Sequence, residues 1–254
     1  SGGGGGGGVG VGGMGDQQGT TVMLWGGSGV GKNRISEAIG FEIGKPLKLI
    51  NFSLAMSETP RADMGTNENA MMGSANSSAR SIFDDARLMQ AVVVLDRFDV
   101  SVFALDKDLL SPAAEDLLYH MERFPGMVII LVSADIHLSM AIHKLHPKFL
   151  NTLKFMIDIP LPTSKERLKL WQRSLPKKCP INVTREQFIE LSQRYKLSGG
   201  SINKASYRAA ANVALRPIND VTRIITFKDL EKAADMEKNK GEGEATRMYS
   251  QQFL

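Results

Sequence analysis

Cysteine is almost absent: Cys179 is the only one in 254 residues. No internal disulfide can form, so stability must come from packing, and the expected setting is a reducing, intracellular one. Long apolar runs are missing too. The longest, such as Met127 to Val132, fall far short of the roughly 20 residues that cross a bilayer, so no membrane segment is expected. A dominant charge is also lacking, with 31 Lys and Arg against 27 Asp and Glu and a formal charge of +4. Acidic and basic residues interleave nearly everywhere, which leaves nucleic acid unindicated as a partner. Even the basic group Lys165, Arg167, Lys169, Arg173, Lys177 and Lys178 reads as a solvated helix face. Histidine is scarce, and His143, His146 and nearby His137 lack the adjacent carboxylate of a metalloprotease pattern, so no metal is assigned to them. Trp25, Trp171 and Tyr207 read as packing residues.

Glycine is the excess. Ser1 to Gly15 are almost all glycine, which loses the most backbone entropy on ordering and has no side chain to bury. Residues 1–19 are therefore expected to be a linker or a disordered segment outside the fold. The remaining length suits one large core with a smaller one attached.

Past that tract, Val22-Met23-Leu24-Trp25 runs into Gly26-Gly27-Ser28-Gly29-Val30-Gly31-Lys32-Asn33, then into Ile35, Ala38, Ile39 and Ile43. Apolar strand, glycine-rich loop and amphipathic helix in that order are the phosphate-loop (Walker A) arrangement. Gly26, Gly31 and Lys32 supply the G-x-x-x-x-G-K core. Glycine lets backbone N–H groups turn inward on a phosphate chain, and lysine carries a cation to its terminal oxygens. The next position calls for a Ser or Thr hydroxyl to help hold Mg²⁺. Here it is Asn33.

Further strands are expected over residues 46–52, 91–96, 127–133 and 154–159, separated by helices. One helix carries Ala79, Ile82, Phe83, Ala86 and Met89 on its inner face; another is capped by Ser111 with Pro112 at its first position. Residues 136–150 read as helix and turn broken at Pro147. An alternation of this kind predicts an α/β fold with a parallel sheet sandwiched by helices. Asp96, ending an unbroken β-branched run, is placed at the carboxyl edge where ligands bind, suited to a Mg²⁺-bound water. From Pro160 onward no further convincing strand appears, and capping-box spacings at Thr163, Thr184 and, with a shorter arm, Thr226 predict a small all-α lid. The expected division is 20–160 for the α/β part, 161–240 for the lid and 241–254 for a tail.

In motif order as well as in single motifs, Gly26 to Lys32, Val92 to Asp96, Gly126 to Ser133, Phe155 to Pro162 and Leu197-Ser198-Gly199-Gly200 resemble an AAA+ ATPase domain of the Cdc48/FtsH-like branch. The resemblance implies a P-loop NTPase-type sheet, a site for ATP or ADP formed by Gly27, Ser28, Gly29, Val30, Gly31, Lys32, Asn33, Arg34, Asp96 and Gly200, and assembly with protein partners. It implies Mg²⁺ at Asn33 and Asp96, although Asn33 is a weak ligand.

Departures from that pattern concern the chemistry. Where active relatives follow the aspartate with a water-polarising glutamate, this chain has Arg97, which cannot accept a proton. Ser133 stands where relatives have a sensor asparagine, and Asn151 and Thr152 stand where arginine fingers would reach a neighbouring subunit. No aromatic pore residue is found near Asp63-Met64-Gly65. Loss of a general base costs roughly 10²–10⁴ in rate, and loss of an arginine finger roughly 10³–10⁵. With no catalytic residue assigned, the expected protein is a pseudo-ATPase that binds nucleotide, with Mg²⁺ dispensable and Arg97 either paired with Asp96 or touching phosphate. It would serve as a structural or regulatory subunit in a hetero-oligomeric assembly. The alternatives are an active protein remodeller and a structural module whose site holds no nucleotide.

Overall fold

A computed structural model describes residues 19–56, 78–105, 109–177, 179–217 and 223–251. Five strands, β1 (Thr20–Gly26), β2 (Leu47–Asn51), β3 (Val92–Asp96), β4 (Met127–Ser133) and β5 (Phe155–Asp158), form one sheet in the order β2-β3-β4-β1-β5. Every pairing is parallel. All five carboxyl ends therefore share one edge, and in the β1–β4 register Gly26 lies beside Ser133. That juxtaposition brings the glycine-rich loop and the tip of β4 together.

Alternation along each strand divides the core. Met23, Trp25, Val93, Leu95, Val128, Ile130 and Val132 face one side. They are covered by α2 (Phe52–Ala55), α3 (Ser78–Leu88), α4 (Pro112–Arg123), α5 (Leu138–Ala141) and α6 (Pro147–Thr152). Val22, Leu24, Val92, Val94, Ile129 and Leu131 face the other, against Ile35 and Ile39 of α1 (Lys32–Glu42). Ser111 caps α4 by accepting from Ala114 N–H at 3.3 Å, with Pro112 at the first position as expected. Pro147 does not break a helix; it opens α6, where its missing N–H is no loss, and His146 caps that helix by accepting from Lys148 N–H. Met89 lies beyond the end of α3 and is 56% exposed, so the inner face of that helix ends at Ala86.

An aromatic stack fixes the tip of β3. The rings of Phe98 and Phe52 are 4.3 Å apart, and Phe98 stacks on both Phe103 and Phe149. Phe98 N–H also donates to Leu131 O at 3.0 Å. With Asp96 held in the sheet and Phe98 held in this stack, the single residue between them makes the turn, and Arg97 adopts φ 54°.

Beyond Pro162 a second core forms between α7 (Ser164–Ser174), α8 (Arg185–Arg194), α9 (Gly199–Ala214) and α10 (Phe227–Gln251). Thr163 and Thr184 make full capping boxes with Glu166 and Gln187. At α10 the Asp229 carboxylate reaches back to Thr226 N–H and its hydroxyl at 2.9 and 2.7 Å. The all-helical expectation misses one feature: β6 (Ile181–Asn182) and β7 (Ile225–Thr226) pair in parallel as a second sheet. Two-residue strands leave no periodicity to read, and only their distant pairing defines them. Helix α10 also continues past residue 240 to Gln251 instead of giving way to a tail.

Of three side chains, two differ from their expected settings and the third, Trp25, packs as expected. Arg167 is buried, donating from Nε to Ser192 O at 2.8 Å and from a guanidinium nitrogen to Pro162 O, so it ties the start of the lid to α8. Tyr207 is not packed but 74% exposed. Trp25 is buried, its indole N–H donating to Ile136 O at 2.7 Å.

Candidate functional site

A cleft of about 660 Å³ opens between the sheet's carboxyl edge and the lid, lined from Ser28 to Arg34 by the glycine-rich loop. Its conformation follows from the glycines. Gly26, Gly29 and Gly31 have φ of 152°, 77° and 110°, a region that side-chain-bearing residues rarely adopt. Gly31 is the left-handed residue before α1, and no side chain caps that helix, which leaves its first N–H groups without a side-chain acceptor.

Lys32 is buried, and its Nζ donates to Gly26 O at 2.8 Å and Gly27 O at 2.9 Å. Burial pushes its ammonium below the usual lysine range, opposed by the charges of Asp96 and Asp135. The second of these carboxylates was not singled out from sequence. A methyl added at Gly27 would lie 3.9 Å from Asp135 Oδ1, which places this carboxylate beside the loop. Its position two residues after Ser133, just past the tip of β4, is the signal that could have found it.

Asp96 and Arg97 line the same cleft, as does Ser133. Asp96 Oδ1 accepts from the backbone N–H of Arg97 at 2.9 Å. The guanidinium of Arg97 makes no ion pair with Asp96 among the described residues, so the pairing considered from sequence is not formed. Asn33 and Arg34 are exposed on the cleft wall. Asn33 supplies an amide oxygen and Asp96 a carboxylate already engaged by backbone. Both are hard oxygen donors, and a nucleotide-bound Mg²⁺ would need only one or two of these from the protein, with phosphate and water completing its shell.

Asn151 and Thr152 are not in the cleft. They lie at the end of α6, where Thr152 is buried and its hydroxyl donates to Phe149 O at 2.7 Å. That hydroxyl is committed to its own helix. The stretch Asp63-Met64-Gly65 lies outside the described residues.

The lid closes the cleft by direct contact. Gly200 N–H donates to Gly29 O at 2.8 Å, and a methyl added at Gly200 would meet Gly29 Cα at 3.0 Å. Gly200 thus lines the cleft at a close backbone approach that any side chain would crowd. Leu170, Arg173 and Ser174 of α7 and Ile202 and Asn203 of α9 complete the wall. Arg173, read from sequence as part of a solvated face, is the one charged residue that the lid contributes among the described residues. Its spacing of three from Leu170 puts both on one helix face.

Comparison with family models gives a match over residues 22–161, more than half of the chain, to the ATPase family associated with various cellular activities (AAA). The chain belongs to the AAA family. Its fold is that of an AAA+ P-loop ATPase domain, and the family implies nucleotide binding. Among solved structures, the crystal structure of the FIGL-1 AAA domain is similar with a TM-score of 0.63, covering 90% of this chain and 77% of that one. At 16% identity this likeness speaks for the AAA fold alone. Comparison by sequence with curated proteins gives no match.

Proposed function

We propose that this AAA domain binds ATP or ADP without hydrolysing it, acting as a structural or regulatory subunit beside other protein subunits. The observation that carries this reading is Arg97. It stands on the cleft wall directly after Asp96, where a water-polarising glutamate would be needed, and its guanidinium has no acceptor lone pair for a proton. A residue bearing a side chain at φ 54° is strained by about 1–3 kcal/mol, and such strain collects at ligand clamps. Ser133 at the tip of β4 and the finger-less α6 agree with it. A subunit with Asn151 and Thr152 in place of trans cations is poorly suited to a self-sufficient ring, which favours a hetero-oligomeric assembly.

The loop itself retains what phosphate requires: three left-handed glycines, a buried lysine and an uncapped helix start. With Arg97 free of Asp96, a fixed cation faces the place where a metal ion would otherwise balance phosphate charge. Bound nucleotide is therefore held with little dependence on Mg²⁺. Titration of a fluorescent ATP analogue with and without EDTA tests this. Affinities within a few-fold of each other are expected, and binding that vanishes with EDTA contradicts the role given to Arg97.

A further inference from the structure

Charge is divided unevenly between the two parts of the chain. Residues 20–160 hold 13 Lys and Arg against 16 Asp and Glu, whereas residues 161–240 hold 17 against 8. Between Glu190 and Asp229, a stretch that contains all of α9, Asp220 is the one acidic residue. An acidic partner is therefore drawn to the lid and not to the sheet.

On that basic lid, α9 turns an apolar stripe outward. Tyr207, Ala211, Ala214 and Leu215 are exposed at spacings that put them on one helix face, Tyr207 by 74% and Leu215 by 84%. A groove of about 560 Å³ lies between this stripe and Pro176, Cys179 and Pro180, and it shares no lining residue with the cleft. Arg223 stands at the end of α9, where its guanidinium donates to Ala214 O at 2.8 Å, and it makes no ion pair among the described residues. No carboxylate lines the groove among those residues. Lys177, next to Pro176, is exposed as well. An apolar floor with a cationic rim suits an acidic amphipathic helix, whose apolar face fills the groove while its carboxylates meet the rim. Alanines at 210, 211 and 214 keep the surface low between Tyr207 and Leu215, so a second helix can approach closely. The stripe runs about 12 Å along α9, two helical turns. Nucleic acid would need a line of cations for its phosphates, whereas this floor is Ala, Val and Pro beside one aromatic ring.

We propose that this groove is a docking site for an acidic, amphipathic helical segment of another protein. The apolar residues of that segment seat between α9 and the connection from Pro176 to Pro180, and its Asp or Glu side chains reach Arg223 and Lys177. Docking there asks nothing of the cleft and holds whether or not nucleotide is bound.

The probe is a fluorescein-labelled peptide of about 15 residues, with Leu at i, i+3, i+4 and i+7 spacing and Glu elsewhere, titrated against the whole chain and followed by anisotropy. Cys179, the only cysteine, lines the groove and reports its occupancy through the rate of reaction with a thiol reagent. The peptide is expected to bind and, at saturation, to slow that reaction severalfold. A scrambled peptide of the same composition, and one with Lys in place of Glu, are expected to do neither. Ala211→Glu sets a carboxylate on the groove floor at an exposed helical position and is expected to weaken binding by about tenfold or more; Arg223→Glu is expected to cost about tenfold and to flatten the salt dependence. Tyr207→Ala repeats the test of the floor should Ala211→Glu lower the unfolding temperature, with a severalfold loss expected. The proposal is overturned if the acidic peptide does not bind or leaves Cys179 as reactive as before, if the scrambled or basic peptide binds equally well, or if the variants bind as the wild-type chain does. A single-stranded oligonucleotide that protects Cys179 as well as the peptide does would make this a nucleic-acid surface and overturn it too. So would self-association of the wild-type chain in sedimentation that Ala211→Glu abolishes, since the occupant would then be a second copy.

Discussion

At the tip of β1 the chain has a loop in which Gly26, Gly29 and Gly31 take positive φ and Lys32 is buried, whereas at the tips of β3 and β4 it presents Arg97 and Ser133. The two regions share one edge of one sheet and differ in what they can do. Holding a polyanion needs inward N–H groups and a cation, and the loop has both. On the reading proposed above, splitting it needs a water-polarising group directly after Asp96, where the chain has Arg97, and a cation from a neighbouring subunit, where it has Asn151 and Thr152. On that reading, binding and turnover are separable because they draw on different strands.

The strongest way to break that contrast is at the loop. Lys32→Ala is expected to lower nucleotide affinity by about 100-fold, the scale of charge-assisted hydrogen bonds lost to buried phosphate. Unchanged affinity, measured by the same fluorescent titration, would leave the loop without a function and return the cleft to a structural role. Gly29 sharpens the comparison from the lid side. A methyl there would lie 2.7 Å from Ser198 Oγ and 3.3 Å from Gly200 Cα, at a φ of 77°. Gly29→Ala is expected to destabilise the fold by about 2 kcal/mol, read from denaturant unfolding, and to weaken nucleotide binding with it.

A smaller effect separates the lid's own stability from the site. The carboxyl of Asp229 is raised by burial, but hydrogen bonds from Thr226 and the Arg216 guanidinium outweigh that and hold it below the usual aspartate range. A carboxylate depressed in the folded state stabilises above its unfolded pKa, and the contribution is lost as pH falls through the folded value. Acid titration of the wild-type chain should therefore show a loss of stability below the ordinary aspartate range that Asp229→Asn abolishes, by comparison of unfolding midpoints. Nucleotide affinity at neutral pH should be the same in both.

Much of this molecule is legible in its residues, for reasons that differ by region. β1, β3 and β4 are near-continuous apolar runs because both faces of a central parallel strand are buried, and that pattern needs no partner to be recognised. The glycine-rich loop announces itself because few sequences meet its backbone geometry. Contacts made across long separations are another matter. Arg167 and Arg173 lie on one short helix with similar neighbours, yet one is buried against Ser192 O and the other faces the cleft. Helical spacing cannot distinguish them, because the packing of α8 and α9 decides which face is covered. Asp135 is hidden for a similar reason: only the β1–β4 register brings the loop after β4 next to Lys32. Met89 was misplaced because helix periodicity continues in sequence past the point where Gln90, with φ 51°, turns the chain into β3.

The central claim concerns turnover, and phosphate release from ATP by the purified chain measures it directly. The account predicts release at the rate of the Lys32→Ala variant, with and without Mg²⁺. Release near 1 s⁻¹ or faster, the lower end of the roughly 1–10³ s⁻¹ typical of enzymes, abolished by Lys32→Ala, would contradict it.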